Sequence, residues 1–128
     1  MRLLLDTCTF LWIVGGDEAL SARAREAFVD PESEVFLSAA SAWEIAVKHR
    51  LGKLPLPALP EVFVPAQQAA HGIEALPVDE EAALHVGKLP DIHRDPFDRM
   101  LIAQAIVGGL VLVTPDGPIW QYPARTLW

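Results

Sequence analysis

Three uninterrupted apolar runs, Leu3–Leu5, Val35–Leu37 and Leu110–Val113, each end on a polar residue: Asp6, Ser38 and Thr114. A strand with one wet face alternates apolar and polar side chains, whereas a strand covered on both faces is apolar throughout. These runs therefore demand packed layers above and below a sheet. Stretches of helical character lie between them, and strands alternating with helices build βαβ units. The expected fold class is α/β, a mostly parallel central β-sheet flanked by α-helices. At 128 residues the chain is expected to form a single domain, 1–128, large enough to bury a core without staples.

Local signals divide the rest. Thr7 to Val14 predicts a short helix ended by Gly15 and Gly16. Ser21 predicts the cap of a helix to about Val29, with Ala22, Ala24, Ala27 and Phe28 as its buried stripe. Ser41 and Glu44 have capping-box spacing at the start of a helix that Gly52 ends. The proline-rich stretch from Leu54 to Pro60 is a loop, but an apolar one that should pack against something. A helix from Glu61 to His71, weakened by Pro65, precedes a strand from Ile73 to Val78, and Asp79 caps a helix to about Lys88. Asp95 suits the cap and Pro96 the first position of the last long helix, which runs to Val107. Arg125 to Leu127 predicts a final short strand.

Asp6, Glu44, Asp98 and Asp116 each fall where a strand ends or a helix begins. In a parallel sheet those points share one edge, where ligands bind. Four carboxylates gathered there repel one another unless a cation sits among them. An all-oxygen acidic site favours Mg²⁺ or Mn²⁺. Each acid also has an ordinary structural reading: Glu44 as the partner of Ser41, Asp98 as a first-turn acid, Asp116 as a turn residue before Gly117. Asp6 resists one, since an acid closing a buried strand needs a partner or a metal. Asp95 reads first as a cap, with a secondary ligand role as the alternative. Thr7, Ser38, Ser41 and Thr114 offer hydroxyls that either orient carboxylates or satisfy chain ends. Lys48, Arg94 and Arg99 could form a phosphate-contacting rim; compensation of a helix C-terminus is the competing reading for Lys48.

Other chemistries find no support. His49, His71, His85 and His93 form no zinc-ligand pattern, and there is no nucleophile elbow or glycine-rich phosphate loop. The net charge of −7, from 10 basic and 17 acidic residues, argues against general adhesion to nucleic acid, although a bound cation or a basic rim can reverse the potential locally. A single cysteine, Cys8, excludes an internal disulfide framework. The stretch from Met100 to Val113 is too short to span a bilayer, so a soluble cytoplasmic protein is expected. A hydrophobic share of 52% and mean hydropathy of +0.26 are high, and suggest apolar surface covered by a second copy or a partner. Trp12 and Trp43 read as core or interface aromatics.

Four stretches together resemble the PIN-domain family, and within it the VapC-type toxins of type II toxin–antitoxin pairs. They are Leu4–Thr7 followed by Phe10–Trp12, then Ser38–Lys48, His93–Ala105 and Val113–Asp116. The resemblance spans essentially the whole chain in order. It implies a metal-dependent endoribonuclease using Mg²⁺ or Mn²⁺, with Asp6, Glu44, Asp98 and Asp116 as the metal-holding set. Within it Asp6 and Asp116 are expected as direct ligands, Asp98 at the metal or reaching it through water, and Glu44 positioning or deprotonating the attacking water. It further implies a homodimer, bound by a VapB-type antitoxin, acting on an RNA substrate. After Asp116 the chain runs Gly117 to Tyr122, where related chains often carry a further polar residue, which leaves one or two metal positions open. Two rivals stay in view: a catalytically silent PIN module, and a phosphate-transfer domain of haloacid-dehalogenase or receiver type. The second is disfavoured because Asp6-Thr7-Cys8 lacks its second aspartate.

Overall fold

The structure, a computed structural model, describes residues 1–128. Its strands are β1 (Arg2–Leu5), β2 (Glu34–Ser38), β3 (Ile73–Leu76), β4 (Val111–Val113) and β5 (Thr126–Leu127). Its helices are α1 (Thr7–Gly15), α2 (Ala22–Val29), α3 (Ala39–Arg50), α4 (Pro60–His71), α5 (Glu80–His85), α6 (Pro96–Gly108) and α7 (Gly117–Trp120), with a 3-10 turn at Val86–Lys88. All strand pairs are parallel, in the order β3-β2-β1-β4-β5.

The apolar runs split across the sheet as the period of two requires. Leu3 and Leu5 of β1 face one side with Val35, Leu37, Val111 and Val113, under Phe10, Ala24, Ile45, Phe63 and Val64 from four helices. Leu4 faces the other side with Phe36 and Leu112, under Leu101, Ile102 and Ala105 of α6 and Ile119 of α7. Leu3, Leu4 and Leu5 are all fully buried, so β1 carries its one polar residue, Arg2, at its exposed start. Burying three leucines contributes roughly 1.5–3 kcal/mol each.

The chain moves outward from β1 through β2 to β3, then crosses back to β4 and β5 on the other flank. Its order thus reverses between β1 and β4, the kind of crevice where open α/β sheets bind ligands. Register sets Leu5 beside both Leu37 and Val113, so Asp6, Ser38 and Thr114 emerge side by side.

Several local expectations need correction. Ser38, not Ser41, caps α3, its hydroxyl accepting from Ala40 N at 3.0 Å. Glu44 therefore sits in the body of the helix and is no partner in a capping box. Ala22 is exposed, and only Ala24 of the α2 stripe is fully buried. α4 begins at Pro60 and passes straight through Pro65, whose ring lies on the exposed side. β3 stops at Leu76 and β5 spans two residues. α7 had no sequence signal beyond Pro118 at its start. Leu54 and Leu56 of the proline-rich loop do pack on the first core, as does Trp12, whose ring lies 5.8 Å from that of Trp128. Gly16 and Gly109 end α1 and α6 with φ of 64° and 63°, a left-handed turn that suits a residue without Cβ. No helix is long and apolar enough to cross a membrane.

Candidate metal centre

Asp6 leaves β1 with its backbone N–H still donating to Val113 O at 3.1 Å, which fixes it against β4. Its carboxylate caps α1: Oδ1 accepts from Thr9 N at 2.8 Å and from Cys8 Sγ at 3.1 Å. Thr114 Oγ1 donates to Asp6 Oδ2 at 2.6 Å and accepts from Asp116 N at 3.1 Å. One hydroxyl thus joins the acid at the end of β1 to the acid just beyond β4. Burial first, then the Asp6 charge, push the Cys8 thiol far above its ordinary range and disfavour its thiolate.

Glu44, also buried, projects from α3 toward the start of α1. Thr7 Oγ1 lies 2.6 Å from Glu44 Oε1 and 3.0 Å from Ser41 Oγ. With one proton on each hydroxyl, Thr7 donates to the carboxylate and receives from Ser41. Lys48, one turn on, pairs with Glu44 Oε2. That contact raises the Lys48 pKa, against a smaller opposing effect of burial.

α6 brings the third acid. Asp95 Oδ1 caps it, accepting from Phe97 N at 2.8 Å and Asp98 N at 3.3 Å. Asp98 is pushed up to about 7, by burial first and then by the Asp95, Glu44 and Asp6 charges, with His93 opposing. His93 Nε2 lies 3.1 Å from Asp98 Oδ2 and 3.0 Å from Asp116 Oδ2. Nδ1 of the same ring accepts from Asp95 N at 3.1 Å. A nitrogen that accepts carries no proton, so the ring is assigned from its partners as neutral, with the proton on Nε2 shared by two carboxylates.

Thr114 joins Asp6 to Asp116, His93 joins Asp116 to Asp98, and the Glu44 and Asp6 charges both act on Asp98. The four acids named from sequence are thus neighbours at this edge, although Asp6 and Glu44 stand apart from the tightest group. Ligand atoms of His93, Asp98 and Asp116 lie within 4.8 Å of one another. Coordination through His93 Nε2 would require its proton to leave while Asp95 N–H still occupies Nδ1, which leaves the ring without a proton. The carboxylates are therefore the better donors. The donor set suits a hard dication: oxygen ligands crowded in a buried crevice, one of them costly to ionise unaided.

The three cations separate. Arg94 is exposed and forms no ion pair. Lys48 is engaged by Glu44. Arg99 turns inward, donating to Val86 O, Pro90 O, His93 O and the Tyr122 hydroxyl. His93 and Tyr122 were not among the residues singled out from sequence. A signal for His93 existed in its place two residues before the Asp95-Pro96 cap, where a side chain can accept from a nearby backbone N–H.

Beside Asp98 and Glu44, Phe97 and Trp43 make an edge-to-face pair at 4.9 Å between ring centres. They line an apolar groove of about 600 Å³ with Ala40, Val86, Met100 and Arg94.

Comparison with known proteins places this arrangement. A stretch of 56 residues, 44% of the chain, is 45% identical to Ribonuclease VapC16 of Mycobacterium tuberculosis and spans 40% of that relative's length. Among solved structures, the VapBC-1 structure from nontypeable Haemophilus influenzae aligns with a TM-score of 0.68 at 19% identity, covering 99% of this chain and 97% of that one. The VapBC2 structure from Rickettsia felis, bound to a DNA fragment from their promoter, aligns at 0.67 and 12% identity, covering 99% and 98%. These likenesses show a shared fold. The PIN-domain profile matches residues 3–119, nearly the whole length, and the chain belongs to the PIN-domain family.

Proposed function

We propose that this chain is a metal-dependent endoribonuclease, the toxin half of a VapBC-type pair, formed as one PIN domain over residues 1–128 and acting in the cytoplasm. The observation that carries the reading is the convergence of Asp6, Glu44, Asp98 and Asp116 on the β1/β4 crevice, with Asp98 pushed up to about 7 by burial and its neighbours. Family membership, the partial match to a ribonuclease and the fold shared with toxin–antitoxin complexes support it.

Asp6, Asp98 and Asp116 would hold Mg²⁺ or Mn²⁺, and the ion supplies Lewis acidity at the scissile phosphate. Glu44 orients the attacking water and takes its proton. Thr7 and Lys48 fix its two oxygens, and each oxygen keeps a further lone pair for that work. Water attacks phosphorus as the bond to the leaving oxygen breaks, and that oxygen takes a proton from solvent; the ion, when bound, would offset the charge gathered on the phosphoryl oxygens. His93 holds Asp98 and Asp116 in register. Arg94, exposed beside the crevice, meets a substrate phosphate; a VapB-type antitoxin and a second copy of the chain complete the assembly.

The test is cleavage of total RNA by the purified chain with Mg²⁺ or Mn²⁺, with a chelator, and with the Asp6→Asn variant. Cleavage abolished by both the chelator and the substitution is expected. Equal cleavage by the folded variant would overturn the assignment.

A further inference from the structure

We infer that Arg99 is a positioning residue which, with Tyr122, holds His93 between Asp98 and Asp116, rather than a cation that meets RNA. The inference concerns the site proposed above, and its kinetic test rests on that ribonuclease reading.

The segment between the 3-10 turn and α6 has almost no regular structure of its own. Its residues join three backbone–backbone bonds, Leu89 N to Val86 O, Ile92 N to Pro90 O and, at the start of α6, Arg99 N to Asp95 O. The main-chain groups of His93 join none of these. Its N–H donates to the Tyr122 hydroxyl at 2.7 Å, and its carbonyl accepts from Arg99 Nη1 at 3.3 Å. The same Nη1 reaches Pro90 O at 2.9 Å and the Tyr122 hydroxyl at 3.1 Å, while Nη2 reaches Val86 O at 3.2 Å. Two protons on Nη1 serve three acceptors, so one bond is shared. Both terminal nitrogens of the fork are thus bonded to the protein.

Tyr122 is 4% exposed and belongs to the second core, so the clamp stands on packed ground. Arg99 follows Asp98 on α6, about 100° further round the helix. One turn of helix therefore presents an acid to the crevice and a cation to the loop that carries the acid's partner. A lysine in place of Arg99 keeps the charge but offers one nitrogen where four acceptors wait at separate points.

Three variants test this. Arg99→Lys should lower kcat about 10²-fold, the scale of a small misplacement in a catalytic site, with KM for RNA and its salt dependence unchanged. Tyr122→Phe, which keeps the ring in the core, should lower kcat in the same sense. Arg94→Gln should instead raise KM and flatten the salt slope by about one counterion. In the metal-free protein, nitrogen-15 histidine spectra should show His93 locked with its proton on Nε2, and that signature should blur in Arg99→Lys and Tyr122→Phe. Arg99→Lys raising KM and flattening the salt slope at unchanged kcat would overturn the inference, as would an unaltered His93 spectrum in both folded variants. If the wild type cleaves no RNA, the ribonuclease reading fails, and the spectra still decide the clamp.

Discussion

Asp98 is a half-buried acid surrounded by other acids, and its chemistry has a measurable sign. Its carboxyl keeps a proton to about 7 in the fold, whereas the unfolded chain releases it near 3.8. Below that lower value both states are protonated and no penalty exists. As pH rises through the interval the unfolded state ionises first, so the metal-free protein loses stability until about pH 7. Asp98→Asn should remove that slope and raise metal-free stability at pH 8 by about 1–2 kcal/mol, a figure kept below full conversion of the shift because water reaches part of the site. Denaturation with urea across pH checks it, and parallel slopes for the two proteins would contradict it. Mn²⁺ should stabilise the wild type at pH 8 by mass action and leave Asp98→Asn unmoved, as thermal melts would show. Asp6, Asp98 and Asp116 could be singled out in the sequence because each marked the end of an apolar run or the start of a helix, whereas Glu44 was singled out on a helix start that the structure moves back to Ser38. His93 was not: the histidines were weighed only as zinc ligands, and its role depends on a tautomer that Asp95 N–H selects. Nor did the chain reveal that Arg99 turns inward, since a guanidinium one residue from an acid looks the same whether it faces solvent or a loop.

At the scale of elements, the caps both end helices and aim carboxylates. Asp6 caps α1 and Asp95 caps α6, so the backbone N–H groups that start each helix also orient an acid at the crevice. Asp95 therefore has two separable effects, a hydrogen-bonding one on α6 and an electrostatic one on Asp98. Asp95→Ser keeps the cap and removes the charge; stability should stay within about 0.5 kcal/mol while the Asp98 pKa falls. Asp95→Ala loses the cap as well and should cost about 1 kcal/mol. Carbon-13 titration of the Asp98 carboxyl together with urea melts resolves the two effects, and an unmoved Asp98 in Asp95→Ser would remove Asp95 from the site's electrostatics. Long elements with strong punctuation, such as α6 between Asp95-Pro96 and Gly109, were readable from sequence. The start of α3 was misplaced by three residues because Ser38 and Ser41 both satisfy a capping rule. Only the register of β2 against β1, a tertiary fact, chooses Ser38. α7 lies at the same limit, since four residues carry too little pattern to separate it from loop, whereas the short strand expected at Arg125–Leu127 appears as β5.

For the whole molecule, the unspent apolar surface is the remaining physical problem. Trp43, Val47 and Leu51 recur every four residues on and just beyond α3, with exposures of 64%, 37% and 60%. Spacing of four puts them on one face, and Trp43 stands at the rim of the groove beside Phe97. Leu84, on the last turn of α5, is 70% exposed. A face of this kind on a small protein marks association. The proposed homodimer would cover it, and a stable interface of this class needs roughly 1,200–2,000 Å² in total. A charge in the middle of the stripe should be enough to separate the copies, because an unpaired carboxylate has no place in a desolvated interface. Val47→Glu lies on the exposed side of α3 and leaves both cores untouched, so the monomer should fold normally. Sedimentation at tens of micromolar should give twice the chain mass for the wild type and the chain mass for Val47→Glu, with matching circular dichroism. If the wild type already sediments as a single chain, or the variant stays paired, the α3 stripe is not the homodimer contact.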